Sequence, residues 1–279
     1  MKTLVVPTDF SPAATNAMNY AADMALAINA SIVLVNVYQV PVIYGDGAAA
    51  APAMQTISPE ELQRSSEQQL QSVKADLARV TAGKVKLYTE SRFGDIVEEL
   101  EKLCAAIDPF AIVMGSQGQT EFERLLMGST TLKTIRRIKY PVIAVPPGTS
   151  YKQIKKVGLA CDFKNIIEST PVDFIKNIIR EFGAELHVLN IDHNNAHHNN
   201  ETIVETAWLE SLLGSIKPNY YFLDREDVVE GINEFAETGN LDVVIVIPKK
   251  HTFLEGIFHK SKSKELISHA HIPIVSIHE

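Results

Sequence analysis

The stretch that opens with Asp95-Ile-Val-Glu98, passes through Ala111-Ile-Val-Met114 and closes with Tyr140-Pro-Val-Ile-Ala-Val145 occurs twice. It returns 132 residues later, without a gap, between Asp227-Val-Val-Glu230 and Ile272-Pro-Ile-Val-Ser-Ile277. In the first copy Asp95 opens a helix, with Ile96, Val97, Leu100, Leu103, Cys104 and Ile107 on one face. Ala111–Met114 is a short apolar run, the pattern of a strand buried on both faces. Leu132, Ile135 and Ile138 mark a last helix, and Pro141–Val145 a fifth strand whose leading proline suits an edge. Strands separated by helices of this length pair in parallel through right-handed crossovers.

Outward from that unit the same alternation continues. Leu4-Val-Val-Pro7 is a strand, and Ser11-Pro12 is a cap followed by proline at the first helical position. Ala14, Ala17, Met18, Ala21, Ala25 and Ile28 follow at helical spacing, and Ser31–Val37 reads as a buried strand. Ser58-Pro-Glu-Glu61 is a capping box, with Leu62, Leu70, Val73, Leu77 and Val80 striped behind it. Val85–Tyr88 is the expected third strand. From about Lys152 the plan restarts: Val157–Asp162 echoes Leu4–Asp9, and Ala184–Ile191 echoes Ala30–Val37. The expectation is an α/β protein of two tandem domains, residues 1–147 and 152–279, joined by Pro146-Pro-Gly-Thr-Ser150. Each would be a five-stranded parallel sheet of order 3-2-1-4-5 with helices on both faces.

Composition narrows the function. A chain of 279 residues, 46% hydrophobic and 22% charged, can build two cores. A net charge of −8 argues against wrapping bulk nucleic acid or coating an anionic membrane. The first residues form neither a signal peptide nor a spanning helix, and Cys104 and Cys161 do not make a disulfide framework. A cytoplasmic protein is expected.

Chemistry concentrates at Met114-Gly115-Ser116-Gln117-Gly118 and Met127-Gly128-Ser129-Thr130: glycine, two residues, glycine, nine residues, glycine-serine. The first pair directly follows a strand, and the last precedes a helix with Ser129 at its cap position. Glycines let backbone N–H groups approach a ligand closely. A helix N-terminus adds unpaired donors and a positive dipole end, and together they cradle phosphates. In an open α/β sheet the ligand crevice lies at the carboxyl ends of strands, where the strand order reverses. Strands one and four border that point, so Asp9 faces the same crevice. Singly, these residues are also ordinary turn and cap formers. The complete spacing in its strand and helix context favours a ligand.

This spacing is the G-x2-G-x9-G-[ST] pattern of universal stress protein domains, and Val6-Pro-Thr-Asp-Phe-Ser11 matches their first strand as well. The first half resembles such a domain, and through the repeat the whole chain resembles a tandem universal stress protein with Rossmann-like, adenine nucleotide alpha hydrolase-like domains. The resemblance implies ATP, with Mg²⁺ or another divalent ion bridging its phosphates. It assigns adenine and ribose to Asp9 and Val37, and the phosphates to Gly115, Gly118, Gly128, Ser129 and Thr130. Pro7, Thr8, Met114, Ser116 and Gln117 complete the nucleotide-binding set. Pairing of fifth strands in the family implies Pro141–Val145 antiparallel to Pro273–Ile277 within one chain, and is compatible with a further homodimer.

The second half has lost the pattern. Gly115, Ser116, Gly118 and Gly128 become Ile247, Pro248, Lys250 and Lys260, while Ser261 and Asp162 keep the places of Ser129 and Asp9. Pro248 removes a donor N–H, so ATP binding of the first kind is not expected there. The basic stretch Lys249–Lys264 reads as a solvated face, or as Lys250 or Lys260 occupying the vacated phosphate space or binding a different anion. Gly45-Asp-Gly47 reads as a loop, His193, His197 and His198 as an Asn-rich surface segment, and Cys104 and Cys161 as core. No P-loop and no nucleophile elbow occurs. No residue stands out as a general base, so hydrolysis is at most slow. The leading reading is a nucleotide-responsive stress or regulatory protein with ATP and unknown protein partners. Its rival is a nucleotide-free interaction module of the same family. An enzyme of adenylate chemistry ranks last, because Val6–Ser11 supplies neither catalytic histidines nor a pyrophosphate loop.

Overall fold

A computed structural model of the chain describes residues 2–40, 58–116, 129–163, 166–192, 200–248 and 271–278. The first half runs β1 (Thr3–Pro7), α1 (Pro12–Ile28), β2 (Ser31–Tyr38), α2 (Pro59–Val80), β3 (Leu87–Phe93), α3 (Ile96–Ile107), β4 (Ala111–Gly115), α4 (Ser129–Arg137) and β5 (Val142–Val145). The second runs β6 (Lys156–Ala160), α5 (Ile166–Ser169), α6 (Val172–Phe182), β7 (Glu185–Asp192), α7 (Asn200–Leu213), a 3₁₀ turn at Gly214–Ile216, β8 (Asn219–Asp224), α8 (Val228–Thr238), β9 (Val243–Val246) and β10 (Ile274–Ser276).

Local chemistry accounts for the helix starts. The Ser11 hydroxyl accepts from the Ala14 N–H at 3.1 Å, with Pro12 directly behind it. Ser58 and Glu61 form a reciprocal capping box. Asp95 accepts from the N–H groups of Val97 and Glu98, and Asp227 from those of Val229 and Glu230. The two copies of the repeated motif therefore cap their helices in the same way.

The strands form one ten-stranded sheet of order β3-β2-β1-β4-β5-β10-β9-β6-β7-β8. Within each half every pair is parallel, in the order 3-2-1-4-5 and its counterpart. The halves meet through β5 and β10, which pair antiparallel with Ile143 opposite Val275. The proline-led fifth strands are thus edges of their own halves but interior strands of the whole sheet, which removes two open edges. Strands buried on both faces carry continuous apolar runs, as in Leu4, Val5 and Val6. Leu4, Val6 and Met18 on one face join Val157, Leu159 and Ile175 of the second half in a single core. On the other face Val5, Val35 and Leu100 join Val244 and Ile232. Tyr20 meets Tyr151 edge-on with ring centres 5.3 Å apart, Phe110 lies 6.1 Å from Phe174, and Lys2 pairs with Glu181 at 2.6 Å, all across the junction.

The third strand departs from its expected place. It runs Leu87–Phe93 instead of Val85–Tyr88. As the outermost strand it is only partly covered, and four polar residues, Thr89–Arg92, stand between Tyr88 and Phe93, so it offers no apolar run to read. Both cysteines are buried, and burial pushes the Cys104 thiol up to about 12. Among the described residues no helix is long and apolar enough to cross a membrane.

Candidate functional site

β1 and β4 lie side by side, with Val5 in register with Ile112, and the chain leaves their carboxyl ends in opposite directions. α1 returns over the face of Leu4 and Val6, whereas Ile135 of α4 packs on the face of Val5. This is the point at which an open α/β sheet splits to form a crevice.

The end of β1 is a built turn. The Thr8 N–H donates to the Val35 carbonyl at 2.8 Å, and the Asn36 side-chain amide donates to the Thr8 carbonyl at 2.7 Å. The Thr8 hydroxyl accepts from the Phe10 N–H at 2.9 Å, and the Asp9 carboxylate from the Ser11 N–H at 3.0 Å. Phe10 is left-handed at φ 63°, an uncommon state for a bulky residue. Pro7 and Thr8 are buried, Val37 is half-buried at the end of β2, and Asp9 is exposed. Asp9 is thus exposed just past β1, held by a turn in which Thr8, Phe10 and Ser11 are hydrogen-bonded.

The end of β4 is equally specific. Met114 and Ser116 are buried and Gly115 is half-buried. A β-carbon on Gly115 would lie 2.9 Å from the carbonyl oxygen of Ala13, so only glycine fits beneath the first turn of α1. The Ser116 N–H donates to Val145 at 2.9 Å, and the Thr131 hydroxyl to the Gly115 carbonyl at 2.8 Å. That second bond ties the start of α4 to the strand end. α4 begins at Ser129, with Thr130 half-buried in its first turn. Gln117, Gly118 and Gly128 lie outside the described residues, as do Gly45–Gly47, His193, His197, His198 and Lys249–Lys264. Among the described residues no group of three His, Cys, Asp or Glu side chains is placed to hold a metal.

The second half repeats the turn and changes the floor. Phe163 is left-handed at φ 50°, its N–H donating to the Cys161 sulfur at 3.4 Å, and Asn190 donates to the Cys161 carbonyl at 2.9 Å. These are the bonds of Phe10, Thr8 and Asn36 with a thiol in place of a hydroxyl. Where Gly115 leaves bare backbone, Ile247 is buried, and it joins Phe163 and Ile166 in the core. The helix corresponding to α1 is also interrupted, at Thr170-Pro171 between α5 and α6.

Three features escaped the sequence reading. The Asn36 and Asn190 amides, and the left-handed Phe10 and Phe163, could have been found because they recur at matching places in the two halves. Arg92 gave no such cue. It stands in register with Val37, is bridged to Glu90 and Glu99 at 3.4 and 3.5 Å, and its buried Nε has no partner.

Residues 1–146 match the universal stress protein family. A universal stress protein of Methanocaldococcus jannaschii is 32% identical over 148 residues, covering 52% of this chain and 81% of the relative. The crystal structure of a universal stress protein from Archaeoglobus fulgidus superposes with a TM-score of 0.72 at 18% identity, covering 99% of this chain and 98% of that one. A functionally unknown protein from Pseudomonas aeruginosa gives a TM-score of 0.64 at 11% identity, covering 100% of this chain and 92% of that one. Both structural matches span the two halves together, so the tandem arrangement is a shared fold.

Proposed function

The chain belongs to the universal stress protein family, and from that membership we propose that its first half binds ATP and that the protein acts as a cytoplasmic, nucleotide-responsive regulator. The observation that carries this reading is the β1/β4 switch itself, where the Thr131 hydroxyl ties the start of α4 to the Gly115 carbonyl at the end of β4. Around it lie the exposed Asp9, the half-buried Val37 and the N-terminus of α4. These groups suit a nucleotide: a carboxylate for ribose hydroxyls, a strand end for the base, and helix and glycine N–H groups for phosphates. In this reading Pro7, Thr8, Asp9, Val37 and Met114 face the nucleoside. Gly115, Ser116, Gln117, Gly118, Gly128, Ser129 and Thr130 face the phosphates and their divalent ion.

The functional units are residues 1–147 and 152–279, a division supported by the end of the family match at residue 146. The second unit binds no ATP in this manner, because Ile247 and Pro248 replace Gly115 and Ser116, and the proline removes a donor N–H. The test is binding of a fluorescent ATP analogue to nucleotide-stripped protein. Saturable binding that is lost in Gly118→Val and Gly128→Val, with the fold intact by circular dichroism, supports the site. Undiminished binding by both variants contradicts it.

A further inference from the structure

We propose that the outer face of α7 is a docking surface for an amphipathic partner helix with basic flanks. α7 is the crossover between β7 and β8, the place that α2 fills between β2 and β3. The large apolar side chain that α2 exposes is Val80, at its last residue. α7 buries Leu209 and Leu213 against the core, yet Ile203, Val204 and Trp208 on its other side are 60%, 55% and 48% exposed. With Ala207, also exposed, they form one stripe at positions i, i+1, i+4 and i+5. Ile167, 58% exposed, lies on α5, which is joined to α7 where the Ile166 N–H donates to Glu205 at 2.9 Å. The same place in the other half of the fold is polar, so the fold does not require this apolar face. A contiguous apolar patch with a polar rim marks an interaction site, and tryptophan is the residue that most often anchors one.

The rim decides the occupant. Glu168, Glu205 and Glu210 flank the stripe, and neither α5 nor α7 contains a lysine or arginine. Two copies meeting through this face would set carboxylates against carboxylates. A helix with apolar residues at helical spacing and Lys or Arg on either side satisfies both the stripe and the rim.

Trp208 is the only tryptophan in the chain, so its emission reports this surface alone. The probe is a Lys/Leu peptide patterned as an amphipathic helix, with a Glu/Leu peptide of the same pattern as control, titrated into the full chain. The proposal predicts a saturable blue shift with Lys/Leu and none with Glu/Leu. The dissociation constant should rise about tenfold in Ile203→Ser/Val204→Ser, and again in Glu168→Lys/Glu210→Lys. These exposed positions can change without unfolding the chain, and circular dichroism verifies that they do. No shift, a shift that both double variants retain, or an equal response to Glu/Leu overturns it. So does a blue shift on raising protein concentration alone, which would make the occupant a second copy.

Discussion

Gly115 sits where a β-carbon would come within 2.9 Å of the Ala13 carbonyl, a contact with backbone that cannot swing aside. Gly115→Ala therefore forces α1 off the sheet and should lower stability by about 1–3 kcal/mol, read by urea denaturation without nucleotide. Unchanged stability would mean that the close approach is not required. His187 is a different kind of single-residue case. It is buried on β7, its Nδ1 is 3.2 Å from the Tyr221 hydroxyl, and burial holds its pKa below the ordinary histidine value. The unfolded chain then takes up a proton that the native state resists. The His187 contribution is complete above the unfolded value near 6.5 and is lost as pH falls from there through the lower folded value. Stability should decline across that window, and His187→Phe, which keeps a ring beside Tyr221, should flatten the decline. An equal slope in the variant would assign the pH dependence elsewhere.

Elements differ in how openly they announce themselves. The caps are local, so Ser11, Ser58, Asp95 and Asp227 could be read directly, and each is a cap in the structure. Asp95→Ala and Asp227→Ala should each cost about 1 kcal/mol, and the double variant should show the sum, because the two aspartates cap different helices in different halves. Thermal or urea unfolding of the three variants measures this, and a markedly non-additive double would indicate coupling between the halves at these caps. The interior strands were legible from apolar runs. β3 was not, because Tyr88 and Phe93 face solvent among Thr89, Glu90, Ser91 and Arg92 at the outer edge. At the candidate site, spacing pointed to the glycines, and the place of Asp9 just past the first strand pointed to the carboxylate. The clash beneath Ala13 and the amide lock of Asn36 are contacts between distant segments that no local pattern encodes. The lock becomes visible only when Asn36 and Asn190 are set side by side as equivalent residues.

At the scale of the whole molecule, ten strands of the described residues form one sheet, and each face carries a core running through both halves. The antiparallel pairing of β5 with β10 and the Tyr20–Tyr151 and Phe110–Phe174 contacts leave no seam without buried apolar surface. The chain should therefore unfold in a single cooperative transition by calorimetry, with tryptophan emission from the second half changing together with far-ultraviolet circular dichroism. Two separated transitions would show that the halves are thermodynamically independent. The same continuity carries two unlike strand ends: Gly115 packed under Ala13 with Asp9 exposed in the first half, and Ile247 buried with Phe163 and Ile166 behind a matching turn in the second. This asymmetry predicts one nucleotide site per chain. Titration calorimetry of nucleotide-stripped chain with ATP and Mg²⁺ tests it most directly. Saturation at one ATP per chain is expected; no binding at all, or two equivalents per chain, would mean that the two halves do not differ in this way.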